Sequence, residues 1–399
     1  MIQRTLAAQL LKAAHQYPVL TLTGPRQSGK TTLARSVFHD YAYCSLEDPA
    51  HRSFALEDPH GFLGQFQGRR VIFDEVQRTP EIFSYLQILV DTEDVPGRFI
   101  LTGSQNFLLL KSIGQTLAGR CAIFHLLPFS LDELTGRTPL LVEKLGQLPA
   151  GNRRPPEAEL LQLLFNGFYP RIHDKKLISQ DWLRNYYQTY LERDVRDILN
   201  VGDLESFRRF VGLCAGRNGQ LLNLSSLASD CGITHTTARR WLSVLEASFL
   251  VALLRPHHRN YSKRLIKSPK LYFLDTGLLC YLLRIRDPGD LLVHSSRGAI
   301  FESFVVAEFL KRAYHNGKDP DIFFWRDAAG HEVDVIIDLG KKVIPLEIKS
   351  GETITSDYFA GINYWKKLAG QESGAGAIIY AGADSYIRND TAVHSWWNW

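Results

Sequence analysis

The sequence predicts an α/β fold divided among several domains, and three observations support that prediction. The chain has 399 residues, more than a single hydrophobic core usually organises. Apolar runs of strand length alternate with helical stretches over roughly the first third of the chain. The remainder changes from a helical pattern to a second set of strands, which is typical of separately packed domains.

The first region is predicted to form a parallel sheet flanked by helices. Short apolar runs recur with helix-forming segments between them, and such alternation is typical of βαβ units. We assign this α/β core to residues 1–135. Its predicted strands are VLTLT at 19–23, YCSL near 43, VIFDE at 71–75 and RFILTGS at 98–104.

The segment GPRQSGKT follows the first of these strands. It has the GxxxxGK[ST] pattern, in which glycines let backbone N–H groups approach phosphates at a helix N-terminus. Lys30 would reach the β- and γ-phosphates, and the Thr31 hydroxyl would ligate Mg²⁺. The motif predicts binding of ATP with Mg²⁺; the alternative is a glycine-rich turn with a surface lysine. The predicted nucleotide contacts are Gly24, Pro25, Arg26, Gln27, Ser28, Gly29, Lys30, Thr31 and Thr32.

Polar residues at the ends of two further strands favour a catalytic site for phosphoryl chemistry. Asp74 would hold the magnesium shell, and Glu75 would polarise the attacking water. Ser104 ends the next predicted strand, where a γ-phosphate sensor would lie, although polar strand ends are also common without such a role. Arg120, or alternatively Arg98, could stabilise charge on the transferred phosphoryl group from this subunit or from a neighbour.

Residues 136–203 are predicted as a linker and a helical lid, and residues 204–290 as a winged-helix module. The run SSLASDCGITHTTARRWLSVLEA has the length of a helix-turn-helix, with Gly232 in the turn. The stretch from Arg239 to Lys270 is rich in basic residues, which favours contacts with DNA phosphates; the alternative is a module that packs against protein. The predicted DNA contacts are Arg239, Arg240, Arg259, Lys263, Arg264 and Lys267.

The motifs resemble those of a known family. GPRQSGKTTLAR, FDEVQRTPEIF, FILTGSQNFLL and YLERDVRDI are similar to segments of bacterial and archaeal AAA+ ATPases that carry a C-terminal domain of unknown function. The resemblance covers nearly the whole chain and implies an AAA+ P-loop core, a winged-helix segment and a nuclease-like C-terminal fold. Its usual lid arginine has two candidates here, Arg193 and Arg196.

Residues 291–399 are predicted as a small α/β domain with the order αβββαβ. Asp334 and the run Glu347-Ile-Lys349 lie on adjacent predicted strands, with Glu302 on the preceding helix as a third carboxylate. Carboxylates that hold magnesium beside a lysine form a metal-dependent nuclease arrangement. The spacing resembles the restriction-endonuclease-like PD-(D/E)xK superfamily. The alternative is a fold retained as a binding module, since E-x-K on a strand is a common solvent-facing pair.

Composition and charge narrow the function classes. The net charge of +4 is too small to indicate a nucleic-acid partner by itself, and no apolar stretch has the length of a membrane span, so we expect a cytoplasmic protein. The five cysteines show no zinc-binding spacing. The favoured hypothesis is an ATP-driven homo-oligomer, with a ring as one arrangement, that engages DNA and remodels or cuts it. A nucleotide-switched protein-interaction module is the second hypothesis, and a plain transcription regulator is the third.

Overall fold

The computed structural model describes residues 2–104, 113–148, 159–190, 204–257 and 267–399. Its amino-terminal unit is a five-stranded parallel sheet in the order β2-β3-β4-β1-β5. The predicted parallel sheet is therefore confirmed, and the fifth strand is an addition that the sequence pattern did not predict. The strands are β1 (Val19–Thr23), β2 (Ala42–Ser45), β3 (Val71–Asp74), β4 (Phe99–Gly103) and β5 (Cys121–His125).

Helices cover both faces of this sheet. Ile72 and Ile100 pack into a hydrophobic cluster on one face, whereas Phe73 and Leu101 pack into another on the opposite face. Because both faces are covered, β1, β3 and β4 are buried along their whole length. The helices are α1 (Leu6–Ala14), α2 (Lys30–Val37), α3 (Pro49–Glu57), α4 (Pro59–Gly64) and α5 (Ile82–Glu93).

A helical region and a helix-turn-helix follow the sheet. The turn contains Gly232 at φ 72°, a left-handed conformation that glycine adopts without steric cost, as the sequence pattern predicted. An antiparallel pair of strands follows the second helix of the turn. The elements are α6 (Leu131–Thr135), α7 (Glu159–Asn166), α8 (Pro170–Lys175), α9 (Ser179–Tyr190), α10 (Leu204–Gly216), α11 (Leu224–Cys231), α12 (His235–Ala247), β6 (Val251–Leu254), β7 (Lys270–Phe273) and α13 (Thr276–Leu282).

The carboxyl-terminal region forms a separate mixed sheet in the order β12-β13-β11-β10-β9-β8. Its first elements follow the predicted order αβββαβ, and two short strands at the end extend the sheet beyond that prediction. The elements are α14 (Arg297–His315), β8 (Ile322–Arg326), β9 (Glu332–Asp338), β10 (Val343–Lys349), α15 (Ala360–Ala369), β11 (Ala377–Tyr380), β12 (Tyr386–Arg388) and β13 (Thr391–Ser395).

One hydrophobic cluster joins the three regions that follow the first sheet. It extends from Leu127 to Trp399 and includes residues of the helical region, the helix-turn-helix unit and the carboxyl-terminal sheet. Helix α14 lies at its centre, where a Glu308–Lys311 ion pair of 2.8 Å is fully buried. The cluster packs these regions against one another, although the sequence assigned them to distinct segments. In the described part of the chain, no helix is long and apolar enough to span a bilayer.

Candidate nucleotide site and carboxylate cluster

The loop between β1 and α2 has the backbone geometry that its glycines allow. Gly24 has φ 151°, and a Cβ atom at this position would lie 2.1 Å from the Leu126 carbonyl oxygen. Gly29 has φ 93° at the N-terminus of α2. Gln27 also adopts a left-handed conformation, with φ 63°. The loop therefore requires glycine at both ends of the motif, because a side chain would clash or be strained there.

Lys30 and Ser28 place polar groups inside this loop. The Lys30 ammonium donates to the carbonyl oxygens of Gly24, over 3.0 Å, and Pro25, over 2.8 Å, so its side chain folds back across the loop. The Ser28 hydroxyl is buried, and no group of the described residues bonds its oxygen. A buried hydroxyl of this kind fits a phosphate ligand, because an oxyanion would supply the missing hydrogen bond.

Asp74 is the polar centre of the sheet's carboxyl edge. Its carboxylate is buried and accepts hydrogen bonds from the hydroxyls of Thr31, over 3.0 Å, and Tyr43, over 2.9 Å. Thr102, on β4, donates to the same carboxylate. The guanidinium of Arg35 lies 4.6 Å from the centroid of the Tyr43 ring. The sequence-predicted pair of Mg²⁺ ligands, Thr31 and Asp74, is thus in direct contact, and a hydroxyl with a carboxylate is a donor set that Mg²⁺ accepts.

Glu75 follows Asp74 in a left-handed conformation with φ 56°, which turns the chain sharply at the end of β3. Its carboxylate accepts hydrogen bonds from the Ser104 hydroxyl, over 3.2 Å, and from the Gln77 amide, over 2.5 Å. Both predicted residues, Glu75 and Ser104, are therefore neighbours at the end of adjacent strands. Gln77 is a further residue of this site, and the sequence analysis missed it because no short motif marks it.

A cleft of about 1260 Å³ opens beside the phosphate loop. Lys30, Thr31 and Glu75 line it from the core, and the helical region lines it from the opposite side. Arg171, near the start of α8, is an exposed cation on that opposite side. Its signal in the sequence was a proline at the first position of a short helix, directly before the arginine. The predicted lid arginines at 193 and 196 lie outside the described residues.

The remaining predicted nucleotide contacts lie in the same loop and in the first turn of α2. Arg26, Gln27 and Thr32 line the cleft. Pro25 contributes its carbonyl oxygen to Lys30. The whole predicted loop is thus gathered at one end of the sheet.

Arg120 lies at the other end of the sheet. It immediately precedes β5, whose first residue pairs with Val19 at the start of β1, so about 15 Å of strand separates it from the phosphate loop. Its guanidinium pairs with the Asp91 carboxylate on α5, with one N···O distance of 3.1 Å. Arg98 is buried and pairs with Glu93 over 2.9 Å. The predicted role of either arginine at the nucleotide of its own subunit is wrong, because parallel strands place their starts and ends at opposite edges.

Arg4 connects the phosphate loop to the carboxyl-terminal region. The buried guanidinium donates to the carbonyl oxygens of Ser28, over 2.9 Å, and Leu127, over 2.6 Å. It also pairs with the Glu133 carboxylate over 3.2 Å, and His315 of α14 lies against both side chains. Burial opposes ionisation of Glu133, but His315 and Arg4 lower its pKa to about 2. The sequence analysis did not single out any of these residues.

The helix-turn-helix unit exposes part of the predicted basic surface. Arg239 and Arg240 are exposed on α12, whose N-cap is Thr234, and Lys267 is exposed shortly before β7. Lys270 departs from the predicted basic surface, because it is buried among carboxylates. The other predicted DNA contacts, Arg259, Lys263 and Arg264, lie outside the described residues.

The predicted residues of the carboxyl-terminal sheet form one cluster. The Lys349 ammonium lies 3.1 Å from the Asp334 carboxylate and 2.5 Å from the Glu347 carboxylate. The backbone N–H of Ile348 also donates to Asp334, over 2.8 Å. Burial and the neighbouring Asp334 raise the pKa of Glu347 well above its ordinary value. Burial acts in the same direction on Asp334, but Lys349 and Lys270 lower the pKa of that carboxyl.

A second lysine enters this cluster from the helix-turn-helix unit. The Lys270 ammonium, on β7, lies 3.2 Å from Glu302 and 2.5 Å from Glu332. Tyr272, two residues further along β7, donates its hydroxyl to Glu302 over 2.5 Å. Burial opposes the charge on Lys270, but Glu302, Asp334 and Glu332 together raise its pKa. The predicted third carboxylate, Glu302, is therefore tied to partners on β7.

Three family models match successive parts of the chain. Residues 16–135 match the family described as AAA domain, and residues 297–399 match the domain of unknown function DUF4143. Residues 157–289 match a further domain of unknown function, DUF8612. An uncharacterized protein of Mycobacterium tuberculosis is 31% identical over 393 residues, which are 98% of this chain and 82% of that protein. The chain belongs to its family, which we call the AAA–DUF4143 family.

The AAA–DUF4143 family has a further relative in the archaea. An uncharacterized protein of Methanocaldococcus jannaschii is 23% identical over 340 residues, which are 80% of this chain and 72% of that protein. The sequence-predicted AAA-type P-loop core with a C-terminal domain of unknown function is therefore confirmed.

Solved structures similar to this AAA–DUF4143 chain include a Walker-type ATPase of Pyrococcus abyssi. That protein is 14% identical, with a TM-score of 0.46, and the match covers 71% of this chain and 96% of the other. The RuvB Holliday junction branch migration motor of Thermotoga maritima is 18% identical, with a TM-score of 0.30, over 62% of this chain and 88% of the other.

Proposed function

We propose that this AAA–DUF4143 protein hydrolyses ATP and uses the cycle to act on DNA bound by its helix-turn-helix unit. One observation supports the hydrolytic part above all others. The Thr31 hydroxyl contacts the Asp74 carboxylate at 3.0 Å, and Glu75 stands beside them on the rim of the same cleft as Lys30. A phosphate-binding cation, a hydroxyl–carboxylate pair and a general base therefore meet at one edge of the sheet.

Each residue of the cleft has a distinct part in this proposal. Lys30, now bonded to loop carbonyls, turns to the β- and γ-phosphates of the bound nucleotide. Thr31 and Asp74 hold Mg²⁺, which neutralises phosphate charge when it is bound. Glu75 orients water and accepts its proton, while Ser104 and Gln77 hold the Glu75 carboxylate in place.

Arg171 is proposed to contact the phosphates from the opposite side of the cleft. The side chain is exposed and borders the same space as Lys30 and Thr31. An arginine on a helical lid can sense the charge of the γ-phosphate, because its planar guanidinium binds two phosphate oxygens at once. The lid would then close when ATP is bound and relax after hydrolysis.

The DNA-binding part of the proposal depends on helix α12. Arg239 and Arg240 are exposed on it, its first turn contains no acidic residue, and its apolar face packs on Phe207 and Phe210 through Trp241. An amphipathic second helix with exposed arginines suits the major groove and phosphates of duplex DNA. The following β6–β7 hairpin supports a winged-helix arrangement for this unit.

Two substitutions test hydrolysis. Lys30→Ala should abolish ATP binding, whereas Glu75→Gln should retain binding and lose at least about 10²-fold in turnover, since general bases contribute that much. Binding is measured by isothermal titration and turnover by phosphate release. Wild-type turnover that Glu75→Gln leaves unchanged would exclude this carboxylate as the base.

DNA engagement is tested by turnover in the presence of duplex, single-stranded and branched DNA. We expect DNA to raise turnover, and Arg239→Ala/Arg240→Ala to weaken DNA binding and flatten its salt dependence, since two phosphate contacts are lost. Arg208→Ala/Arg209→Ala is a matched control, because this arginine pair is also exposed, on α10. If no DNA changes turnover or binds, the nucleotide-switched protein-interaction hypothesis replaces this proposal.

A further inference from the structure

The carboxyl-terminal cluster contains two lysines that come from different parts of the fold. Lys349 belongs to β10 of the carboxyl-terminal sheet and lies between Asp334 and Glu347. Lys270 belongs to β7 of the helix-turn-helix unit and lies between Glu302 and Glu332. Its side chain is only 5% exposed, and its ammonium also lies 5.6 Å from the centroid of the Phe324 ring. Two lysines thus contact four carboxylates, and Glu332 also pairs with Arg326 over 3.0 Å.

This arrangement disagrees with a nuclease metal centre. A divalent cation needs several oxygen ligands that point to one place. Here an ammonium already lies between Asp334 and Glu347, and Glu302 is directed to Lys270 and Tyr272. Among the residues that the structure describes, no group of three or more His, Cys, Asp or Glu side chains is arranged to hold a metal ion. The residues present therefore do not fit the predicted magnesium site.

The surroundings of Lys270 attach the helix-turn-helix unit to the carboxyl-terminal domain. Asn218, which follows α10, accepts a hydrogen bond from the Phe273 backbone N–H and donates to the Ala299 carbonyl oxygen, both over 2.8 Å. Ser303 of α14 donates to the Phe273 carbonyl oxygen over 2.8 Å. Strand β7 is thus bonded to α14 along its length, and Lys270 lies at its start.

We infer that Lys270 takes the place of a metal ion in this cluster, so that the carboxylates form a metal-independent joint between the helix-turn-helix unit and the carboxyl-terminal domain. Buried carboxylates need compensating charge, and an ammonium on a neighbouring strand supplies it without any ion from solution. This inference stands whether or not the helix-turn-helix unit binds DNA.

The test uses the full-length, nucleotide-free protein and Mn²⁺, which is detected by electron paramagnetic resonance. The wild type and Asp334→Asn should bind the same amount of Mn²⁺, because Asp334 is not expected to ligate a metal ion in the wild type. Lys270→Met should lower Tm in metal-free buffer and create a Mn²⁺ site, with Tm rising by about 2–4 °C at saturating Mn²⁺. Glu302→Gln added to Lys270→Met should abolish that rise, because Glu302 is one of the two carboxylates that the Lys270 ammonium contacts. Lys341→Met is the matched control, because this lysine is exposed between β9 and β10, and it should match the wild type.

Two results would overturn the inference. One is Mn²⁺ binding by the wild type that Asp334→Asn eliminates, and the other is a folded Lys270→Met protein that gains no Mn²⁺ site. If Lys270→Met does not fold, the wild-type titration still decides, and Lys270→Arg should fold and bind no Mn²⁺ because it keeps the charge. ATP turnover by the wild type is measured in parallel. A protein that does not hydrolyse ATP would contradict the proposed function and leave the inference about Lys270 unaffected.

Discussion

The Arg4 guanidinium donates to the Ser28 carbonyl oxygen over 2.9 Å and pairs with the Glu133 carboxylate over 3.2 Å. One side chain thus joins the phosphate loop to the end of the AAA domain. His315, on α14 of the carboxyl-terminal region, lies against the same pair. The nucleotide cleft and the DUF4143 domain are therefore connected through buried polar groups.

Arg4→Ala should destabilise the protein and weaken nucleotide binding. Removing the cation leaves Glu133 buried without its ion pair, which costs about 3 kcal/mol in the free energy of unfolding. The phosphate loop also loses a support at Ser28, so ATP affinity should fall. Urea denaturation and isothermal titration measure the two effects. Lys12→Ala, an exposed lysine on α1, should change neither, and an Arg4→Ala protein as stable as the Lys12→Ala control would contradict the assigned role.

Glu133→Gln should alter the pH dependence of stability. The folded-state pKa of about 2 lies below the ordinary value of 4.5, so the paired carboxylate stabilises the fold above pH 4.5 and loses that contribution as pH falls through about 2. The variant should be less stable than the wild type by about 3 kcal/mol at neutral pH. Denaturation curves from pH 7 towards pH 2 should converge, and a constant difference would show that ionisation of Glu133 is not the cause.

Ser104→Ala should lower kcat for ATP about tenfold and leave KM nearly unchanged. The Ser104 hydroxyl bonds Glu75 over 3.2 Å, and its loss frees the carboxylate to leave the orientation needed for water activation. Ser53→Ala is a matched control, because Ser53 also bonds a glutamate, Glu57, over 2.9 Å, but on the exposed helix α3. Equal kcat values for the two variants would argue against a positioning role for Ser104.

Arg171→Ala should raise KM for ATP about tenfold, the loss expected when a charge-assisted hydrogen bond to phosphate is removed. Arg171 borders the cleft that contains Lys30. Arg184→Ala provides the comparison, since this arginine is exposed on the neighbouring helix α9 and does not line the cleft. Should ADP and ATP affinities fall equally in Arg171→Ala, the arginine would not sense the γ-phosphate.

Arg120 can reach a nucleotide only on another subunit, because it lies at the opposite edge of its own sheet. Arg120→Ala and Glu75→Gln should each be inactive alone, yet their mixture should regain part of the wild-type turnover. In the mixture, some interfaces combine an intact Arg120 with an intact Glu75 on the neighbouring subunit. Phosphate release across a series of mixing ratios is the measurement. Turnover that never exceeds that of the separate variants would exclude the arginine finger.

Local patterns were sufficient to predict the phosphate loop and the acidic strand end. The spacing of Gly24, Gly29 and Lys30 predicts the geometry of the loop, because close approach of the backbone to phosphate and a positive φ are needed at fixed positions. Asp74 and Glu75 follow the apolar run VIF, and β3 ends at Asp74. The same reasoning located Asp334, Glu347 and Lys349 on adjacent strands.

The positions of side chains from distant segments could not be predicted without the tertiary structure. Arg120 and Lys30 each suited the same site by residue type, but strand direction placed them at opposite sheet edges. Lys270 belonged by composition to a basic surface, yet the register of β7 directs it into a carboxylate cluster.

The phosphate loop, the acidic strand end, and the AAA and carboxyl-terminal regions can be identified from local sequence signals, because each signal lies within a short segment. Which charges meet depends on tertiary packing. Arg4 with Glu133, and Lys270 with Glu302, are separated by 129 and 32 positions along the chain. Their contact depends on how whole elements pack, and a short-range pattern carries no information about that packing.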